Sequence, residues 1–365
     1  MLQWTPVKGL RDKIGQMFMV GCQGEWLSPN EKLLIEEYPF GGFILFQKNC
    51  RVPRHILSLC RELWNSATEV PPFIAIDQEG GRVHRLPGPF THFPAAARLG
   101  ATRTSELAHN AGRAAALELA LAGINLNFAP VLDVNSNPQN PVIGDRAFGT
   151  EPKQVIEMST AWTRGLRDGG IIACGKHFPG HGNADKDSHF DLPLVKKSLE
   201  DLKAVEFPPF ADACKNGIEA LMTAHVLFPA LDQSLPATLS ERIVTGLLRH
   251  HFGYDGVVFS DDMEMKAISG RYDPNEAAHL VLRAGVDVLL YCHELSKAID
   301  VFEFLADAVA KDPALRARVA DSHRRIVNLK RRYLKNFSGV ADVELERRLT
   351  QWEHQRKIEE IYGSL

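Results

Sequence analysis

The sequence predicts a single-domain α/β fold, a TIM-like (β/α)8 barrel. Eight short apolar runs recur along its 365 residues. Helix-like patterns separate most of them, and polar residues gather directly after the runs. The runs are Gln16–Gly21, Gly42–Phe46, Phe73–Asp77, Leu126–Val134, Ile171–Phe178, Ala220–Val226, Gly256–Asp261 and Val286–Tyr291. Each is nearly continuous in Val, Ile, Leu, Phe and Ala, which suits strands covered on both faces of a parallel sheet. An open doubly wound sheet is the alternative, but the N-terminal Gly-rich nucleotide fingerprint common in that fold is absent.

Helix signals fill the intervals. Ser28-Pro29-Asn30-Glu31 combines an N-cap, a proline in the first turn and a capping-box glutamate. Ser198-Leu199-Glu200-Asp201 and Ser240-Glu241-Arg242 are further helix starts. Gly169-Gly170 and Gly253 mark helix ends. Segments 104–122, 151–168 and 199–216 carry helical apolar spacing, and Pro208-Pro209 should break or bend the last. The barrel is expected over 1–335, with a helical tail of no assigned role over 336–365. The basic cluster Arg316, Arg318, Arg324, Arg325, Lys330, Arg331 and Arg332 is expected to form a solvated helix face on the barrel's outside.

Bulk properties narrow the function. A formal net charge of -3 provides no basic field for gripping phosphates, so no nucleic-acid partner is expected. The opening MLQWTPVKGLRDKIGQ lacks a charged start followed by an apolar run, so no export signal is expected, and no apolar stretch is long enough for a membrane span. The six cysteines are scattered, which fits reduced, buried thiols.

In such a barrel, chemistry sits on the loops at the carboxyl ends of the strands. Asp77-Gln78-Glu79-Gly80-Gly81-Arg82-Val83-His84-Arg85 follows the third run, with glycines for a tight turn and two arginines able to reach carboxylates or hydroxyls. Asp133, Asn135, Asn137 and the segment 144–149, with Arg146 beside Phe148, follow the fourth. The fifth run ends in the densest polar cluster, Lys176–His189, where three of 14 histidines fall within 13 residues. Two chemistries suit it. His177, His181, Asp185, Asp187 and His189 are possible metal ligands, although the spacing is loop-like and Lys176 adds positive charge. Alternatively, Asp187 folds back onto His189, orients the ring and stabilises its protonated form, giving an acid/base pair. His225 ends the sixth run as a possible supporting residue. Asp261-Asp262 end the seventh, where one carboxylate should face the mouth as a nucleophile and the other point away.

These residues resemble family 3 glycoside hydrolases, and in particular their short bacterial β-N-acetylglucosaminidases. KHFPGHGNADKDSH (Lys176–His189), DQEGGRVHR (Asp77–Arg85), GDRAF (Gly144–Phe148) and FSDD (Phe259–Asp262) match the family's blocks in order, and the resemblance runs from about residue 10 to about residue 335. It implies a retaining exo-β-N-acetylglucosaminidase acting through a covalent glycosyl-aspartate. Asp261 would be the nucleophile, His189 the general acid/base and Asp187 its partner. Asp77, Arg85, Arg146, Lys176 and His177 would hold the terminal sugar. It further implies a cytoplasmic enzyme that removes N-acetylglucosamine from anhydromuropeptides during cell-wall recycling. No cofactor, metal or membrane partner and a monomeric state are expected. A β-glucosidase, a β-xylosidase or an N-acetylglucosaminide phosphorylase of the same family are the alternatives. The glycines Gly180 and Gly182 suggest a loop that carries His189 in and out between steps.

Overall fold

The computed structural model describes residues 9–66, 70–188, 191–335, 337, 342–350 and 352–363. Eight parallel strands close into a barrel in chain order: β1 (Phe18–Gly21), β2 (Gly42–Leu45), β3 (Phe73–Ile76), β4 (Leu126–Asn127), β5 (Ile172–Phe178), β6 (Ala220–Thr223), β7 (Val257–Asp262) and β8 (Val288–Tyr291). β1 pairs with both β2 and β8, which completes the ring. The first six strands and β8 are buried along their whole length, including the polar Asn127 of β4 and Lys176 and His177 of β5. Phe259 of β7 meets Phe73 of β3 and Phe128 edge-on, with ring centroids 5.9 and 5.4 Å apart, so aromatic side chains fill the barrel's interior.

The expected run 126–134 forms only a two-residue strand. Pro130 has no N–H to donate, which interrupts the ladder. The chain still follows β5, because the Cys174 and Lys176 N–H groups donate to the carbonyls of Ala129 and Pro130. Towards β3, buried side-chain amides help to join the strands. Asn125 accepts from the Ile74 N–H, and Asn127 accepts from the Gln78 N–H and donates back to its carbonyl.

The helix starts form where the sequence places them. Ser28 caps the helix Pro29–Glu37 with its Glu31 capping box closed, and Ser198 caps Leu199–Ala204. Ser240 precedes a π-helical segment, Arg242–His251. The break expected at Pro208-Pro209 falls earlier, at Val205-Glu206. Both prolines then lie in the first turn of Phe207–Lys215, where a missing N–H breaks no helical bond.

The basic cluster of the helix Pro313–Leu334 corrects an expectation, because part of it faces inward. Asp287, fully buried just before β8, accepts from Arg249 (2.5 Å), Arg318 (2.8 Å) and Ser322 (2.6 Å), and from the Val258 N–H (3.0 Å). Arg324 and Arg325 pair with Asp255. Lys330 is fully buried at the barrel's amino-terminal floor and donates to Gln16 Oε1 and the Gly41 carbonyl, each 2.7 Å away, beside the Phe73 ring. Burial pushes its pKa well below the usual lysine value. A buried carboxylate attracts guanidinium groups inward, and a helical period cannot reveal that partner.

Helices also follow the barrel, in the expected tail. The helix Asp342–Leu349 packs on Pro53–Asn65, and Trp352–Gly363 packs along Ser105–Ala122. Leu345, Leu349, Ile358 and Ile361 are buried in the same core as the barrel.

Asp287 thus ties the π-helical segment and Pro313–Leu334 to β7 and β8. The substitution Asp287→Asn should destabilise the fold by about 3–5 kcal/mol in chemical denaturation, because it leaves buried guanidinium charge uncompensated.

Candidate active site

A cavity of about 530 Å³ opens at the carboxyl ends of the strands. Asp77, Arg85, Arg146, Lys176, His177, Asp187 and Asp261 all line it. His189 lies outside the described residues. Asp187 and Ser188 bring the described chain to the cavity wall immediately before it.

The first group is an alternating ladder of charge. Lys176 Nζ lies 2.7 Å from Asp77 and 2.6 Å from Glu79. Glu79 in turn accepts two hydrogen bonds from Arg146, both at 2.8 Å. Arg85 Nη2 lies 4.0 Å from the second Asp77 oxygen, and its Nε is buried without an acceptor among the described residues. Burial alone would neutralise these groups, but their mutual field wins. Despite desolvation, Arg146 and Lys176 hold Glu79 well below the usual carboxylate range, and Asp77 and Glu79 hold Lys176 above the usual lysine value. Three cations against two carboxylates leave the ladder positive, with acceptors and donors alternating along a cavity wall. That pattern suits a polyhydroxylated ring.

Local backbone places the ladder. Gly80 (φ 95°) and Gly81 (φ 53°) turn the chain after β3, closing hydrogen bonds between Glu79, Gly80 and Val83. Gln78 accepts from the Arg85 N–H, which returns Arg85 to the cavity. Asn140 caps the turn that carries Arg146 by accepting from the Val142 and Ile143 N–H groups. Lys176 and His177, joined by a cis peptide, both face the cavity from β5.

Asp133 is fully buried beneath this wall. Its carboxylate lies 2.7 Å from His177 Nδ1 and 2.6 Å from the His181 N–H. Burial raises its pKa, but His177 and His181 outweigh that and hold it low. An ionised Asp133 fixes the proton on His177 Nδ1, leaving Nε2 to face Arg146, 3.5 Å away. Burial, followed by the nearby His177, pushes His181 down to about 4, so it stays neutral. Among the described residues no group of three or more His, Cys, Asp or Glu side chains is arranged to hold a metal ion.

Asp261 and Asp262 depart from the expected alternation, since both line the cavity. The β7–β8 register shifts between Phe259 and Asp262, which releases the strand from its two-residue period. Asp261 accepts from the Asp262 N–H at 2.8 Å. Asp262 accepts from the Glu264 N–H and lies 3.3 Å from His293 Nε2. Burial drives Asp261 up. The His225 and His177 rings, the Asp262 N–H and Lys176 outweigh it and hold Asp261 below the usual range, ionised at neutral pH. His225 does not line the cavity; its Nε2–H donates to the Asp262 carbonyl, fixing the backbone beside Asp261.

The glycines of the 176–189 loop answer a packing need. A Cβ on Gly182 would lie 1.7 Å from the Val134 carbonyl, and one on Gly180 2.8 Å from Glu206 Cβ. Asn140 further pins the carbonyls of His181 and Ala184. Close packing alone thus accounts for both glycines. Sequence reading did not single out Glu79, and it read Asp133 only as part of a polar loop. A charge-neutralising partner for Lys176 and Arg146 was the available signal, since two cations on one wall call for one.

A model described as the glycosyl hydrolase family 3 N-terminal domain matches residues 9–329. The β-hexosaminidase of Alkalilimnicola ehrlichii is 36% identical over 315 residues, covering 85% of this chain and 89% of its own length. β-Hexosaminidase A of Pseudoalteromonas piscicida is also 36% identical, but this chain spans only 57% of it. Among solved structures, a family 3 β-N-acetylglucosaminidase from Paenibacillus superposes with a TM-score of 0.93 at 39% identity, covering 98% of this chain and 69% of that one. NagZ from Neisseria gonorrhoeae, in complex with N-trifluoroacetyl-D-glucosamine, superposes at 0.79 with 31% identity, over 95% and 97%. The chain belongs to glycoside hydrolase family 3, alongside members named β-hexosaminidase.

Proposed function

We propose that the chain is a retaining exo-β-N-acetylglucosaminidase with Asp261 as nucleophile. The observation that carries this reading is an ionised aspartate at a strand end in the same cavity as the Asp77–Lys176–Glu79–Arg146 ladder. The ladder, with Arg85 and His177 Nε2, grips the hydroxyls of the terminal sugar and presents its anomeric carbon to Asp261. An Asp261 oxygen attacks that carbon, the bond to the leaving oxygen breaks, and His189, paired with Asp187, protonates the departing oxygen. In the second half, water attacks the glycosyl ester, His189 takes the water's proton, and the Asp261 carboxylate leaves. Two inversions return the β configuration.

The relatives' names support N-acetylglucosamine as the sugar. The substrate we propose is an N-acetylglucosaminyl-anhydromuropeptide released from the cell wall, processed in the cytoplasm by a monomer without a cofactor. No helix among the described residues is long and apolar enough to cross a membrane.

Purified protein should hydrolyse p-nitrophenyl N-acetyl-β-glucosaminide far faster than the glucoside, with turnover unchanged by exhaustive chelation. Asp261→Asn should lower kcat by about 10³-fold or more while N-acetylglucosamine still binds in calorimetry. A variant retaining half the activity would move the nucleophile elsewhere. Glu79→Gln should lower kcat/KM by about 10–100-fold, because Arg146 and Lys176 lose the carboxylate that aims them. The acid limb of the pH profile should fall below the ordinary aspartate range. Because its folded pKa is lowered, Asp261 stays ionised as pH drops until that lower value is crossed, and only then is activity lost.

A further inference from the structure

The sugar-gripping residues all come from β3, the β4 loop and β5, on one side of the mouth. The other wall is built from the loops after β2, β7 and β8, and it is of a different kind. Phe46, following β2, and His293, following β8, both line the cavity. Their rings stack with centroids 5.7 Å apart and planes 26° from parallel. The His293 side chain is 59% exposed, yet it is held from several directions. Its ring meets Asp262, its N–H donates to Glu264 (2.6 Å), and its carbonyl accepts from Gln23 (2.5 Å). Phe46 is fixed through its N–H, which donates to Asn49 (2.8 Å), and Asn49 in turn donates to the carbonyls of Cys22 and Gly24. The backbone under both residues is thus fixed, and the rings are held by their mutual stacking and by Asp262, so less freedom is lost on binding.

We propose that the Phe46–His293 pair is the platform on which the leaving-group sugar lies. The inference rests on the glycosidase reading above and adds the determinant of what is accepted beyond the scissile bond. A pyranose ring has an apolar C–H face, and burying it on an aromatic wall is favourable whatever the ring's substituents. The terminal sugar is gripped by charge and hydrogen bonds; the leaving sugar is held by surface contact. The hydrogen bond that His293 Nε2–H donates to the Asp262 carboxylate raises the His293 pKa and holds the ring in place beside the cavity. The position of Asp262 next to Asp261 in sequence links the platform to the proposed nucleophile.

The test compares two substrates with the same terminal sugar. N,N′-diacetylchitobiose leaves as a sugar ring, and N-acetyl-β-glucosaminyl fluoride has no ring to stack. In Phe46→Ala and His293→Ala, the ratio of kcat/KM on the disaccharide to that on the fluoride should fall by about 3- to 10-fold. Phe46→Tyr and His293→Phe keep a flat ring and should hold the ratio near wild type. An unchanged ratio in both alanine variants, or an equal fall in the ring-retaining ones, overturns the platform. Wild-type protein inert towards the fluoride would instead overturn the hydrolase reading itself.

Discussion

One carboxylate holds the mouth of this barrel together. Glu79 sits between Arg146 and Lys176, each within 2.8 Å, in a place where a charge alone would be expelled. Taking such groups from water costs several kcal/mol per ion, and only a nearly complete set of partners offsets that. The network gains its partners by joining the β3 turn, the β4 loop and β5. Removing any member strands the others, so position and charge are specified together. This is how a cavity on loops acquires the rigidity of a core.

The same field reaches the proposed chemistry. Lys176 contributes to the potential that keeps Asp261 ionised despite burial. Asp133 lies deeper still and orients His177, whose ring adds to that potential. An ionised aspartate suits a reaction in which a sugar carbon gains positive character on the face turned to it, while the ladder holds the ring's hydroxyls. On the described side of the mouth, then, grip and reactivity arise from one set of charges.

Much of the architecture was legible in the sequence, because strands buried on both faces are rich in apolar residues, and each of the eight runs overlaps a strand. The polar clusters after runs three, four, five and seven were legible for the complementary reason: charge at a strand end needs solvent or a ligand. What escaped depends on contacts between distant residues. The short β4 follows from Pro130 and from amides reaching across to β3. The inward arginines follow from Asp287, 31 residues before Arg318 in the chain. The shared orientation of Asp261 and Asp262 follows from a register shift that no period-two pattern announces. Gly180 and Gly182 suggested a hinge because glycine permits motion, but it equally permits the close approach that Val134 and Glu206 make to them.

The most direct measurement is the site of covalent labelling. Protein incubated with a 5-fluoro-N-acetylglucosaminyl fluoride, then digested and sequenced by mass spectrometry, should carry one glycosyl group on the peptide that contains Asp261, with fragmentation placing it on that residue. A label on Asp262 or on any other side chain, or steady turnover with no adduct at all, would contradict the account.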